Sequence, residues 1–140
     1  MEVRNYTPED YGAVSDLYKD SSTYGGQFDD ARDTPERLQN LVKQKPDAIL
    51  VAEDNEKILG TVTLFEDGRS AWLYRFSVAN VDNSIDIARE LFLKASEILK
   101  SMGHTQVLVY APANNKFDER YMSLGFNKGD DYTAYWQNLS

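Results

Sequence analysis

Cysteine is missing from this sequence, and histidine occurs once, at position 104. The lack of cysteine excludes disulfides, thiolate metal sites and a cysteine nucleophile, and it fits a reducing compartment. A single imidazole leaves little room for histidine chemistry. We therefore expect no metal site and no catalysis that depends on a thiol.

Long apolar runs and positive charge are also scarce. The longest apolar runs, such as Ala48–Ala52, are far shorter than the ~20 residues of a membrane span, and Met1–Arg4 lacks the layout of a signal peptide. Lys and Arg number 15 against 23 Asp and Glu, which gives a net charge of -8. A nucleic-acid partner needs a basic stripe. We expect a soluble, cytosolic protein without nucleic-acid or membrane partners, and with cationic small molecules or basic segments as partners.

The first third of the chain contains two helix starts of the same kind. Thr7–Asp10 and Thr34–Glu36 each supply a hydroxyl cap, a proline at the first helical position and acids in the first turn. The first helix is predicted to run to Tyr18 and the second to end before Pro46. No linker or repeat divides the 140 residues, so the sequence predicts one domain over residues 1–140.

Extended segments follow the second helix. Three of them are rich in β-branched and aromatic residues: Ala48–Glu53, Lys57–Phe65 and Ala71–Ala79. Short polar turns separate them, which predicts an antiparallel meander. In the third segment Trp72, Tyr74 and Phe76 alternate, which predicts that their side chains share one face of the sheet.

The last part of the chain predicts a crossover. An apolar stripe predicts a helix over Ser84–Met102, followed by a buried central strand at Gln106–Tyr110. A helix at Lys116–Ser123 and a final strand near Tyr132–Asn138 complete the prediction. Strand, helix and strand form a βαβ unit, which requires a parallel pair. The fold class is therefore α+β: a mixed sheet of about six to seven strands, with an antiparallel N-terminal meander, one βαβ crossover and helices on both faces.

One C-terminal motif, together with this order of elements, resembles a known family. The residues are Asn114, Tyr121, Leu124, Gly125 and Phe126, at the spacing Asn-x-x-Ala-x-x-(Phe/Leu)-Tyr-x-x-Leu-Gly-Phe, with Phe117 in place of the alanine and Arg120 in place of the apolar residue. The chain resembles the GNAT acyltransferases, which transfer an acetyl group from acetyl-coenzyme A to an amine. The resemblance covers nearly the whole chain. It implies a GNAT-like fold, acetyl-coenzyme A as acyl donor and an amine-bearing small molecule or peptide as acceptor.

The family's coenzyme-binding segment departs from its pattern here. It usually reads (Arg/Gln)-x-x-Gly-x-(Gly/Ala), with glycines that let helix N-terminal amides approach the pyrophosphate. The matching tract, Asn80–Asp86, contains no glycine. Asn83 and Asp86 are spaced nearly as a capping box that would occupy those amides, and the Asp86 carboxylate would oppose a pyrophosphate unless it turned towards solvent. Two functions stay open: an N-acetyltransferase, or a catalytically silent GNAT-shaped module that binds a partner or a cationic metabolite.

The resemblance assigns two sets of site residues. It implies that the coenzyme lies against Phe76, Ser77, Val78, Asn83, Ser84, Ile85, Asp86, Ile87, Asn114 and Tyr121. In the family a strand bulge at the position of Ser77–Ala79 opens the sheet, and its amides hold the acetyl carbonyl group. The acceptor is expected against Tyr24, Phe28, Asp30 and Tyr74.

Two of these residues have definite expected roles, each with a structural alternative. In the family the tyrosine that matches Tyr121 is assigned as general acid. Proton transfer from a phenol to a thiolate is uphill by about 2 kcal/mol, so hydrogen-bonding to the leaving thiolate is the more economical role. Packing beside Phe117 and Phe126 is the alternative. By the resemblance, Asn114 binds the pantetheine arm, whereas its local sequence predicts a helix N-cap.

The remaining charged residues leave the base unassigned. Glu53 and Glu66 are candidate bases, although a solvated role is more usual for such acids. His104 is expected on the surface, at the end of the long helix opposite the cleft. The aspartates near Asp30 either overhang the acceptor cleft or form a solvated loop. Arg89 is a candidate for the positive charge that the glycine-free loop lacks. An exposed edge strand at the C-terminus leaves room for a homodimer.

Overall fold

Five strands form one mixed sheet in the computed structural model, which describes residues 1–20 and 27–140. They lie in chain order: β1 (Glu2–Asn5), β2 (Ile49–Asp54), β3 (Lys57–Glu66), β4 (Ala71–Val78) and β5 (Leu108–Val109). The first four pair antiparallel, and β5 pairs parallel to β4. The predicted meander and its crossover are confirmed.

Four α-helices accompany the sheet: α1 (Tyr11–Lys19), α2 (Pro35–Gln44), α3 (Ser84–Ser101) and α4 (Asn115–Ser123). The cap signals act as predicted at α2, where the Thr34 hydroxyl accepts the Arg37 N–H at 3.2 Å. The first proline instead begins a 3-10 turn, Pro8–Asp10, directly before α1. Within the described ranges, none of the helices is both long enough and apolar enough to cross a membrane.

The sheet carries helices on both faces. Alternate residues of β2 enter different cores, since Leu50 and Ala52 pack with α3, whereas Ile49 and Val51 pack with α1 and α2. The larger core, on the α3 side, includes Val62, Leu64, Leu73, Phe76, Val78, Ile87, Leu91, Ala95 and Leu99. Each face therefore has its own helices, and β1 and β5 are the two edges of the sheet.

The C-terminal strand predictions are wrong. β5 has two residues rather than the predicted five, and it ends the sheet as an edge strand because no further strand pairs with it in the described ranges. The segment predicted as Tyr132–Asn138 has no strand structure, and Tyr135 and Trp136 are 90% and 84% exposed. Aromatic and β-branched residues favour strands where they pack against neighbours, and most of this segment is exposed, although the Tyr132 ring lies 6.0 Å from that of Tyr110.

Gly60 on β3 sets how closely α3 packs on the sheet. A Cβ atom at this position would lie 2.8 Å from Leu91 Cδ1 and 3.0 Å from Ile87 Cγ2. Both neighbours are fully buried, so they have little room to move. The glycine is therefore needed for close packing between strand and helix.

We expect Gly60→Ala to destabilise the fold by about 1–3 kcal/mol through overpacking. Urea unfolding measures the change. Gly12→Ala is the matched control, because a Cβ there meets nothing within 4 Å, and we expect it to raise stability by up to about 1 kcal/mol as a helix substitution. Equal stability of the two variants would contradict the packing role of Gly60.

Candidate active site

The paired strands β4 and β5 separate halfway along β4. Their pairing consists of Trp72 with Leu108 and Leu73 with Val109. β4 continues to Val78 along β3, with Gly60 as its partner there. Residues 74–78 thus have β3 on one side and no pairing with β5 on the other. The result is a split at the carboxyl end of the two strands, next to the start of α3.

A bulge in β4 lies at this split. Thr61 pairs with Ser77 and Thr63 pairs with Tyr74, so a step of two residues on β3 spans a step of three on β4. Arg75 has a left-handed backbone at φ 51°. The bulge therefore lies before Ser77, not over Ser77–Ala79 as the resemblance implied. The prediction that Phe76 shares a face with Tyr74 is also wrong, because the extra residue shifts the alternation by one.

The start of α3 faces this region without a side-chain cap. Asn83 makes no capping hydrogen bond, and Asp86 is directed to Arg89 Nη1 at 3.1 Å. The predicted capping box is absent here, because Asp86 forms its ion pair within the helix instead. The Asn83 carbonyl accepts the N–H groups of Asp86 and Ile87, and Val81 accepts that of Ser84. Within the described residues, the Ile85 N–H has no such partner.

Three consecutive β4 residues border the split in different ways. Phe76 and Val78 are buried in the core beneath α3. Ser77 lies between them, so its side chain is directed to the opposite, α1 side. Its Oγ atom is fully buried and has no hydrogen-bond partner among the described residues. An unsatisfied buried hydroxyl is costly, and this one lies beside the split.

Tyr121 lies where α4 approaches β4, and the exposed Asn114 lies at the N-terminus of α4. The Tyr121 ring is 6.3 Å from the Phe76 ring and 5.6 Å from the Phe126 ring, edge-on to both. Of the predicted packing partners, Phe126 is confirmed. Asn114 Oδ1 accepts the Phe117 N–H at 3.0 Å, so the predicted N-cap role is confirmed. Its amide nitrogen remains available for another acceptor, so the two roles for Asn114 are compatible.

The predicted acceptor residues divide into three groups. Tyr24 lies outside the described residues. Phe28 is half-buried beneath Lys19, whose ammonium lies 4.7 Å from the ring centre. Asp30 and Tyr74 are exposed, and Tyr74 lies at the bulge itself. Of this set, Tyr74 is the residue that the structure brings to the split.

The sequence did not predict an ion pair between Arg75 of β4 and Asp33, which precedes α2. Arg75 Nη2 lies 2.9 Å from Asp33 Oδ2, and Arg75 Nε donates to Oδ1 at 3.2 Å. The two side chains are 7% and 5% exposed. A solvated loop was an open alternative for this aspartate, and burial of Asp33 excludes it there. Because 42 residues separate the partners, no local pattern in the sequence could reveal the pair.

Neither candidate base is placed at the split. Glu53 accepts from Arg4 Nη2 at 2.8 Å near the β1 edge. Glu66 pairs with Ala71, at the end of β4 that is remote from α3's start. His104 Nε2 lies 3.0 Å from Glu66 Oε2 with its side chain buried, so the surface prediction for His104 is wrong. The turn after α3 places His104 against Glu66 of β3.

A split between parallel strands, a bulge beside it and an uncapped helix start together resemble an acyltransferase site. The sequence model described as the Acetyltransferase (GNAT) family matches residues 12–126. The chain belongs to the GNAT family. No curated protein sequence matches it significantly. Membership fits the motif around Tyr121, which lies inside the matched range.

Solved GNAT-like structures have the same fold. A putative acetyltransferase from Agrobacterium tumefaciens is 18% identical, with a TM-score of 0.74 over 98% of this chain and 100% of that chain. The PaiA N-acetyltransferase of Thermoplasma acidophilum, in complex with coenzyme A, is 20% identical (TM-score 0.74; 94% and 92% covered). The ribosomal-protein-alanine N-acetyltransferase of Brucella melitensis is 21% identical (TM-score 0.70; 93% and 86%). At these identities the likeness shows the fold alone.

The contact between His104 and Glu66 predicts acid sensitivity away from the site. The hydrogen bond with His104, together with the Gly68 N–H, holds the pKa of Glu66 below its ordinary value. A lowered pKa means that the Glu66 contribution to stability is present above pH 4.5 and is lost as the pH falls through the folded-state value.

We therefore expect Glu66→Gln to lower the unfolding free energy at neutral pH and to flatten its decline below pH 4.5. Chemical denaturation across an acid pH series measures both effects. Glu90→Gln, at an exposed position of α3, serves as control and should leave the profile unchanged. Parallel profiles for Glu66→Gln and the native chain would rule out the coupling.

Proposed function

We propose that this protein is an N-acetyltransferase that transfers an acetyl group from acetyl-coenzyme A to a primary amine of a small molecule or peptide. The observation that carries the proposal is the split between β4 and β5, which opens directly beside the start of α3. Family membership supports acetyl transfer as the reaction class. The net charge of -8 favours a cationic acceptor.

The groups beside the split fit the coenzyme. The unpartnered Ile85 N–H and the positive end of the α3 dipole suit a pyrophosphate, and Arg89 neutralises the carboxylate of Asp86. The buried hydroxyl of Ser77 provides a polar group beside the opened strand. Bound acetyl-coenzyme A supplies the activated thioester. The glycine-free tract therefore does not block the site in the way that a formed capping box would.

The residues at the bulge would act on the reacting groups. The amine attacks the acetyl carbonyl carbon directly, while the backbone N–H of Val78 donates to the carbonyl oxygen as its negative charge grows. The Ala79 N–H donates to Leu59 on β3, so the N–H of Val78, one residue earlier, points away from β3 towards the split. The carbon–sulfur bond breaks, the Tyr121 hydroxyl donates a hydrogen bond to the departing thiolate, and the proton released from the amine nitrogen passes to solvent water. Asp33 is poorly suited as the base, because both carboxylate oxygens already accept from Arg75. An amine that arrives as ammonium loses about 4.6 kcal/mol to deprotonation at pH 7.

Calorimetry with coenzyme A tests donor binding and the role of α3's start. We expect measurable binding by the native chain and about tenfold weaker binding by Arg89→Glu, which adds negative charge and releases Asp86. Lys100→Glu makes the same change of charge in the last turn of α3 and should alter the dissociation constant by less than about twofold. Equal weakening by both variants would show that the pyrophosphate binds elsewhere.

The same titration separates the two functions that the sequence left open. Absence of heat and of a thermal shift at millimolar acetyl-coenzyme A would favour the catalytically silent module and end the enzyme proposal. Binding followed by release of free thiol in the presence of amines would support acetyl transfer.

Tyr121→Phe tests the hydroxyl while it keeps the ring and its edge contacts with Phe76 and Phe126. We expect kcat to fall about 100-fold, because a donor to the leaving group is lost, with coenzyme affinity changed by less than about twofold. Release of free thiol measures kcat. Tyr135→Phe, at an exposed ring, is the control. An unchanged kcat in Tyr121→Phe would exclude a catalytic role for the hydroxyl.

A homodimer and a cytosolic location stay predictions. The free edge of β5 and the exposed rings of Tyr132, Tyr135 and Trp136 support association with a second copy. Sedimentation velocity measures the first, and a concentration-independent monomer would reject it. Cell fractionation measures the second.

A further inference from the structure

The Asp33 carboxylate is the centre of a small network that orders the chain before α2. Besides Arg75, its Oδ2 atom accepts the Asp29 N–H at 2.8 Å. The Asp33 N–H in turn donates to the Asp29 carbonyl at 2.9 Å, and the Asp33 carbonyl accepts the Tyr11 hydroxyl at 2.6 Å. Residues 29–33 are thus folded into a turn that is attached to α1 on one side and to β4 on the other.

Arg75, the β4 member of this network, has an unusual backbone conformation. Its φ of 51° is left-handed, a conformation that side chains with a Cβ rarely adopt unless the surroundings impose it. The guanidinium lies 4.6 Å from the Tyr74 ring centre and 5.9 Å from that of Tyr18. Two rings and a carboxylate therefore fix one orientation of a planar fork, which a lysine ammonium cannot reproduce.

The Arg75–Asp33 ion pair lies next to the split at which the proposed reaction takes place. The bulge that contains Arg75 comes directly after the last β4 residue that pairs with β5. A segment that is held against the bulge on the α1 side therefore borders the split. Asp33 holds residues 27–33, the segment before α2, in this place. Coenzyme binding, by contrast, is expected at the start of α3 beyond Val78.

We propose that Arg75 is a positioning residue for the acceptor: through Asp33 it holds residues 27–33 beside the β4 bulge as the wall against which the amine is held. This inference rests on the proposed acetyl transfer. Loss of the Arg75–Asp33 ion pair should release the wall for the amine and leave the start of α3, where the coenzyme is expected, intact. Binding of the two substrates should therefore respond differently to substitution of Arg75.

Three variants test the proposal in the full chain. Arg75→Lys keeps the charge but loses the two-point contact, and Arg75→Gly suits the left-handed backbone while it removes the guanidinium. Arg69→Lys is the matched control, because Arg69 forms an exposed ion pair with Asp67 in the turn before β4, outside this segment. Steady-state kinetics use acetyl-coenzyme A and the best acceptor from a panel of spermidine, tyramine, kanamycin and a lysine-containing peptide. Hydrogen exchange of the Asp29 and Asp33 amides is measured in parallel.

We expect both Arg75 variants to raise KM for the amine about tenfold, with KM for acetyl-coenzyme A changed by less than about twofold. Exchange at Asp29 and Asp33 should accelerate by a similar factor, since the turn loses its attachment to β4. Arg69→Lys should change neither the KM for the amine nor the exchange rates. Because Arg75→Gly relieves the backbone, a defect that it shares with Arg75→Lys is due to the guanidinium.

Three results would overturn the inference, the third being unaltered exchange in both Arg75 variants. Equal increases of both KM values would show a general structural role, and an unchanged KM for the amine despite faster exchange would show that the segment does not border the acceptor. Failure of the proposed function has a different signature. A native chain that binds coenzyme A and acetylates no amine contradicts acetyl transfer, whereas unaltered exchange in both Arg75 variants contradicts the anchoring by Arg75 itself.

Discussion

The separation of β4 from β5 is the constraint on which the rest of the site depends. A parallel pair that continued to Val78 would satisfy the backbone of residues 74–78 within the sheet. Instead the pairing ends at Leu73, and the extra residue at Arg75 turns β4 away from a regular register. The same irregularity places Phe76 in the core beneath α3 and directs Arg75 towards the chain before α2. The one extra residue in β4 therefore lies where β4 separates from β5, and it also directs Arg75 towards Asp33.

Arg4 and Arg75 form ion pairs with carboxylates, whereas the chain as a whole has more acidic than basic residues. Arg4 binds Asp10 with both terminal nitrogens and also reaches Glu53, and these contacts raise the pKa of Arg4 above its already high value. Burial opposes ionisation of Asp10, but the hydrogen bonds from Arg4 and from the Thr7 N–H outweigh it, so its pKa is lowered. Arg75 is neutralised by Asp33 in the same way. The surplus of acids over bases leaves the chain with a net charge of -8.

Local signals in the sequence predicted most of the fold, and contacts between distant residues explain the errors. Capping residues and apolar periodicity located α2, α3 and the meander within a residue or two, because these features act over a single turn or strand. The side-chain direction of Phe76 depended on a bulge that no residue pattern announces. The burial of His104 and the pairing of Asp33 depended on partners 38 and 42 residues away. The chemical roles assigned to Tyr121 and Asn114 came from the family motif and remain predictions, although Tyr121 lies beside β4.

The contrast between the chain's two tryptophans has a spectroscopic consequence. Trp72 lies on β4 with its ring 5.1 Å from that of Tyr110, whereas Trp136 is in the exposed C-terminal segment. The emission of Trp136 should be red-shifted and open to quenching by iodide, and that of Trp72 should be shielded. Fluorescence of the unlabelled protein therefore contains two separable signals, one from the sheet beside the split and one from the tail.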